Sequence, residues 1–222
     1  TAVALACRRV GNPVPDAPPR AKGTTRGRAH RSLWTDPRIL FTVPVILAPS
    51  FIITGFFFHQ GRLLQEKGWA FEGWASWFVG YAVARAVFMA ASGPVIDRFG
   101  AARILPFFLA PLAVSMAAVV WFGPSLGIPF CLVPMGISSG ISATLVTALW
   151  VELYGPDRLA EVRATVSAAN VVASGTAPSL MGWLIDLHVA LSVQAAACLL
   201  FIAFASCAAT RVRAYARAGA AP

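Results

Sequence analysis

The sequence predicts an all-α membrane protein built from six transmembrane helices. Three observations point there. Hydrophobic residues make up 58% of the 222 and charged residues 12%, where soluble domains run at about half and a quarter. Mean hydropathy is +0.70, and the apolar residues fall in long blocks rather than in short amphipathic stripes. Basic residues sit in alternate connectors between those blocks, the charge asymmetry of a multi-pass membrane protein.

Residues 1–6 are apolar and are expected to be the end of a preceding helix. The stretch that follows, as far as Arg38, is rich in Pro, Gly and Arg and carries no apolar periodicity. It reads as a basic, disordered linker. Six apolar segments come next, at residues 39–58, 73–96, 104–122, 128–151, 162–185 and 190–209. Each holds about 20 to 24 residues, enough to cross a hydrocarbon core of about 30 Å at 1.5 Å per residue. Residues 39–210 thus form the membrane domain and residues 211–222 a tail. Prolines 44, 49, 106, 111, 129 and 134 interrupt the first, third and fourth segments; membrane helices tolerate them where neighbours satisfy the freed carbonyls. Gly136 and Gly140 give the fourth segment a small-xxx-small spacing suited to close helix packing.

The charges orient the chain. Eight of the 18 Lys and Arg precede residue 39. Arg98, Arg103, Arg158, Arg163, Arg211, Arg213 and Arg217 fall in connectors or the tail on the same side as that linker, whereas the opposite side holds only Arg62 and Lys67. Fifteen against two places the linker, the tail and both ends in the cytoplasm, as in a multi-pass protein of the cell inner (plasma) membrane.

The formal net charge of +9 is therefore spent on lipid-facing connectors, and nucleic acid is not expected as a partner. Cys7, Cys131, Cys198 and Cys207 form no CxxC pair or Cys/His cluster, so neither disulfide nor metal site is expected. No clustered intramembrane His, Asp, Ser and Cys suggests an enzyme, and no cofactor is expected. His59 and His188 fall at outer helix ends, and Trp69, Trp74 and Trp183 fit an interfacial aromatic belt.

The most specific local pattern is Gly93-Pro-Val-Ile-Asp97-Arg98-Phe-Gly100-Ala-Ala-Arg103, in the connector between the second and third segments. Gly93 is suited to close approach of a neighbouring helix, and Gly100 to a tight turn. Asp97 is suited to charge-assisted hydrogen bonds with helix-end amides or a cation, and Arg98 and Arg103 to holding the cytoplasmic side. The spacing resembles the loop signature G-x-x-x-D-R-x-G-x-x-R of the major facilitator superfamily, departing from it at Ala101 and Ala102. A shorter echo, Gly182-Trp-Leu-Ile-Asp186, closes the fifth segment three spans later. Glu152-Leu-Tyr-Gly155-Pro156-Asp157-Arg158, together with an arginine at position 85, is similar to the monocarboxylate-porter branch and its bacterial relatives.

This resemblance implies the C-terminal half of a twelve-helix fold, six helices arranged as a 3+3 inverted repeat, partnered by an N-terminal six-helix half. It implies a secondary transporter working by alternating access, with the 93–103 connector as a gating loop. The substrate implied is a small molecule, a small organic anion such as a monocarboxylate, with a proton as the candidate symport ion. No span contains a carboxylate to carry that proton.

Arg85 is the leading substrate-binding candidate. It lies twelve residues from both Gly73 and Asp97, about 18 Å from either helix end. At mid-span an arginine costs roughly 2.5–3.5 kcal/mol on insertion scales, so a bound carboxylate, a wet cavity or a partner in the other half is expected beside it. Tyr81 and Trp77, one and two turns earlier, are expected on the same face. Asn170 and Trp150 are further candidates for the cavity lining. Two alternatives stand beside the anion reading: a drug or metabolite exporter of the same superfamily, and a half-size protein forming a structural or channel assembly.

Overall fold

The computed structural model describes residues 36–218; the expected preceding helix end, the expected linker as far as residue 35 and the last four residues lie outside them, and Pro37 and Arg38 belong to the first helix rather than to the linker. The described chain is helical with short connections and contains no strand among the described residues.

Helix α1, Pro37–Phe58, starts where Asp36 leaves the helical region and its Oδ1 accepts a hydrogen bond from the Arg38 amide at 2.9 Å. Pro37 fits the first helical position, where its missing N–H costs nothing. A short helix α2, Gln60–Lys67, ends at Gly68 with φ of 63°, the left-handed cap that glycine adopts readily. Helix α3, Phe71–Phe99, runs to Gly100, and the one-turn helix α4, Ala101–Ile104, continues through a 3₁₀ turn at Leu105–Phe107 into α5, Ala110–Trp121. Pro106 lies in that turn, so the expected third span is helical but broken where the proline removes a donor.

Helix α6 covers Pro124–Asp186 and folds into two arms at Gly155, whose φ of 68° and ψ of 179° are not helical. The residue before a proline is pushed out of the α region, and Pro156 follows at once. The connector expected between the fourth and fifth segments is thus one non-helical glycine inside continuous helix. Helix α7, Leu191–Ala218, extends eight residues past the expected membrane boundary at 210.

Five helices are long and apolar enough to cross a bilayer among the described residues: Arg38–Phe58, Phe71–Phe99, Ala101–Trp121, Pro124–Pro156 and Leu191–Arg211. The expected span at residues 162–185 is helical but is not one of the five. Ser167, Asn170, Ser174, Gly175 and Thr176 dilute its apolar run.

Helix α1 sits between α6 and α7, and α6 packs along both α3 and α5. Over half of the α1 span is buried against 17% of the α3 span, so α1 is central and α3 has an uncovered face. At one end of the bundle, Arg38 Nη1 donates to the Leu153 carbonyl at 3.1 Å, the Tyr154 hydroxyl donates to Asp36 Oδ2 at 2.9 Å, and the Arg211 guanidinium lies over the Phe41 ring. At that same end Glu152 Oε2 accepts from the Ala101 and Ala102 amides at 2.7 and 3.2 Å. At the other end, Glu66 accepts from the Leu191 and Ser192 amides at 2.7 and 2.9 Å and from the Ser192 hydroxyl. His59 Nε2 bonds the Pro178 carbonyl there at 2.9 Å. Trp69 and Trp74 belong to this end but are buried against each other, with the Trp74 indole donating to Gln60. They are packing residues rather than members of a lipid-facing belt; Trp183 is exposed as a belt residue requires.

Candidate functional site

The close approach of α6 to α3 builds the site. A Cβ on Gly136 would collide with the Tyr81 carbonyl oxygen, and one on Gly140 would lie 2.5 Å from the Arg85 carbonyl oxygen and 3.0 Å from the Met89 amide. Only glycine lets the two backbones meet here. One turn on, the Thr144 hydroxyl donates to the Met89 carbonyl at 3.2 Å. The Gly136/Gly140 pair therefore fixes the register of the helix that carries Arg85.

Arg85 borders a cavity of about 290 Å³ between α1, α3 and α6, together with Pro49, Ser50, Ile53, Thr54, Ser139, Ser142 and Ala143. A second cavity of about 340 Å³ shares Ser50, Ser142 and Ala143 with it and continues past Val146, Thr147 and Trp150 to Arg163, Ser167 and Asn170 on the second arm of α6. The shared walls make one trench. Its lining follows helical spacing: 139, 142, 143, 146, 147 and 150 form one stripe of α6, and 46, 50, 53 and 54 one stripe of α1.

The trench is half polar, half apolar, and positive. Serine and threonine hydroxyls line it with two guanidinium groups, and no Asp or Glu borders either cavity. Among the described residues, Arg85 and Arg163 have no carboxylate within salt-bridge distance, while Arg158 pairs with Glu161 at 3.7 Å. Trp150 is 1% exposed, and its indole N–H finds no acceptor. Such an orphan donor is costly when buried.

Of the sequence-derived binding candidates, Arg85, Trp150 and Asn170 meet along this trench. Tyr81 and Trp77 border neither cavity. Tyr81 packs edge-on against Phe57, with ring centroids 5.3 Å apart, and against Phe78, while Trp77 stands 43% exposed on the uncovered side of α3. Helical spacing put them near Arg85, but the aromatic cluster at the far end draws the Tyr81 ring away.

Of the gating-loop candidates, Asp97 and Gly93 are placed differently from expectation. Gly100 takes a φ of 83°, as a tight turn demands. Asp97 is exposed, and the helix-end amides beyond Gly100 go to Glu152 instead. No heavy atom lies within 4 Å of a Cβ built on Gly93, so the close approach expected there occurs at Gly136 and Gly140. Arg98 lies over the ring of its neighbour Phe99, and Arg103 is exposed. Sequence reasoning missed the trench residues Ser50, Ser139, Ser142 and Thr147; their hydroxyls at helical spacing in apolar segments were the available signal.

A separate apolar cavity of about 440 Å³ lies between α1, the second arm of α6 and α7, with Phe51, Met181, Leu184 and Phe201 in its wall. Its polar member, Gln194, donates to the Val189 carbonyl at 3.1 Å. Comparison with family models, characterised proteins and solved structures finds no match to this chain.

Proposed function

We propose that the protein is a secondary transporter moving a small organic anion across the membrane by alternating access, with Arg85 as the anchor for the anion. The observation that carries this reading is the setting of Arg85. It is a mid-helix guanidinium bordering a hydroxyl-lined cavity, with no acid in the cavity wall. A permanent cation in an apolar helix needs compensation, and a fork of N–H donors matches a carboxylate.

In this reading the second arm of α6 is a sixth span, semi-polar because it faces the trench, and the six helices form a 3+3 inverted repeat. The two carboxylate caps support it. Glu66 follows the first span and caps the helix of the last; Glu152 follows the fourth and caps the start of the third. An inverted repeat would relate those two arrangements to each other. An N-terminal six-helix half would close the uncovered face of α3, and both ends would be cytoplasmic in the plasma membrane. A proton is the proposed coupling ion, carried with the anion at Arg85 or by the other half.

The test is uptake of small carboxylates into proteoliposomes holding the full-length protein, with and without a proton gradient. Uptake that disappears in Arg85→Ala, with folding checked by melting, supports the anchor. Normal uptake in that variant makes Arg85 structural. The apolar cavity beside Gln194 favours a second reading, an exporter of apolar drugs or metabolites. Transport of neutral apolar compounds that is indifferent to Arg85→Ala would support it.

A further inference from the structure

We infer that the trench takes an elongated dianion, one carboxylate at Arg85 and the other at Arg163 beside Trp150. This rests on the anion-transport reading and goes beyond it by adding a second anchor and a substrate class.

Three features carry it. The first is charge: the trench holds two guanidinium groups and no carboxylate in its walls. Both arginines are exposed, so a monoanion would engage one of the two cations and a dianion both. The acid two residues before Arg163, Glu161, is already paired with Arg158. The second is the hydroxyl lining. Ser50 and Ser142 border both cavities, and Thr147 and Ser167 line the Arg163 end, so hydroxyl donors for carboxylate oxygens run between the two guanidinium groups. The third is shape. The Arg85 cavity reaches Thr54 on α1 and the Arg163 cavity reaches Ile46, eight residues or about 12 Å apart along the helix. The trench is therefore elongated along α1, with one arginine bordering each of its two cavities. Ala143 and Val146 line the middle of the trench, where methylenes would lie.

The experiment measures binding to the full-length protein in nanodiscs, using succinate, its monoamide succinamate, and butyrate, on parent, Arg163→Gln, Arg163→Lys and Arg85→Gln proteins. Succinate is expected to bind the parent about tenfold or more tighter than succinamate or butyrate, the scale of one charge-assisted contact. Arg163→Gln should erase that preference by weakening succinate far more than butyrate, Arg163→Lys should restore part of it, and Arg85→Gln should weaken all three ligands. Equal affinity for the three ligands in the parent overturns the dianion, whatever the variants do to folding, because that comparison uses unmutated protein. The same holds if Arg163→Gln keeps the succinate preference. In either case, loss of binding in Arg85→Gln would leave the anion reading standing. Absence of carboxylate binding altogether, or binding indifferent to Arg85→Gln, overturns both.

Discussion

Glu152 closes the turn at Gly100: its Oε2 accepts from the Ala101 and Ala102 amides at 2.7 and 3.2 Å. A carboxylate on the unpaired N–H groups of a helix start satisfies orphan donors and complements the helix dipole. The connector with the transporter-like pattern is therefore held by a residue of another helix, not by its own Asp97. Glu152→Ala should lower stability by about 1 kcal/mol, the usual worth of an N-terminal cap. Asp97→Asn, at an exposed position, should change it little. Melting of the purified protein in one detergent would compare them. An Asp97→Asn loss as large as that of Glu152→Ala would contradict this assignment.

Gly140 touches the backbone of Arg85, so the packing of α6 on α3 and the placement of the anchor are one problem. A Cβ at 2.5 Å from a backbone carbonyl cannot be absorbed by a side-chain rotation. Gly140→Val should separate the helices, cost about 1–3 kcal/mol as an overpacked contact, and reduce carboxylate binding although Arg85 is intact. Gly93→Ala, in open space, should bind and melt as the parent does. Equal behaviour of the two variants would remove the argument.

How much of this was legible in the sequence depended on the reach of each interaction. Arg85 stood out because a charge in the middle of an apolar run is costly wherever it points. The packing of Gly136 and Gly140 followed from a local spacing, and the structure supplies the partner backbone. The caps were not legible: Glu152 lies 50 and 51 residues from the amides it holds, and Glu66 lies 125 and 126 from its own. No local pattern encodes such pairings. Tyr81 misled for a related reason. Its spacing from Arg85 was right, but the ring was drawn to Phe57 on another helix. The arm at residues 162–185 was expected as a span like the others. It is helical, but its Ser, Asn and Thr side chains set it apart, and Asn170 and Ser167 are part of the trench wall.

Glu66 makes stability depend on acid. Partial burial pushes its carboxyl up, but hydrogen bonds from the Ser192 hydroxyl and the Ser192 and Leu191 amides, with the Arg62 charge nearby, outweigh that and hold it below the usual carboxylate range. A depressed folded pKa gives stability that is fully present above the unfolded value, about 4.3, and is lost as pH falls through the folded value. The melting temperature in detergent should therefore fall below about pH 4.3 more steeply in the parent than in Glu66→Gln. Parallel profiles for the two proteins would show that Glu66 contributes nothing to the acid response.

Gly155 isolates a backbone effect from a packing effect. Its φ of 68° and ψ of 179° lie in a region nearly exclusive to glycine, yet no heavy atom stands within 4 Å of a Cβ built there. Gly155→Ala adds no clash and should still cost about 1–3 kcal/mol, because alanine would have to hold a strained conformation or let the two arms of α6 change angle. The two outcomes differ in the trench, whose walls come from both arms. Strain held in place lowers melting but leaves carboxylate affinity intact. A changed angle lowers both, because it moves Arg163 and Asn170 away from Trp150. Substitution of Ala for Gly61, which also meets open space but has no positive φ, is the matched control and should leave melting within about 0.5 kcal/mol of the parent. If Gly155→Ala melts like that control, the φ at this position carries no constraint, and the bend must come from Pro156 alone.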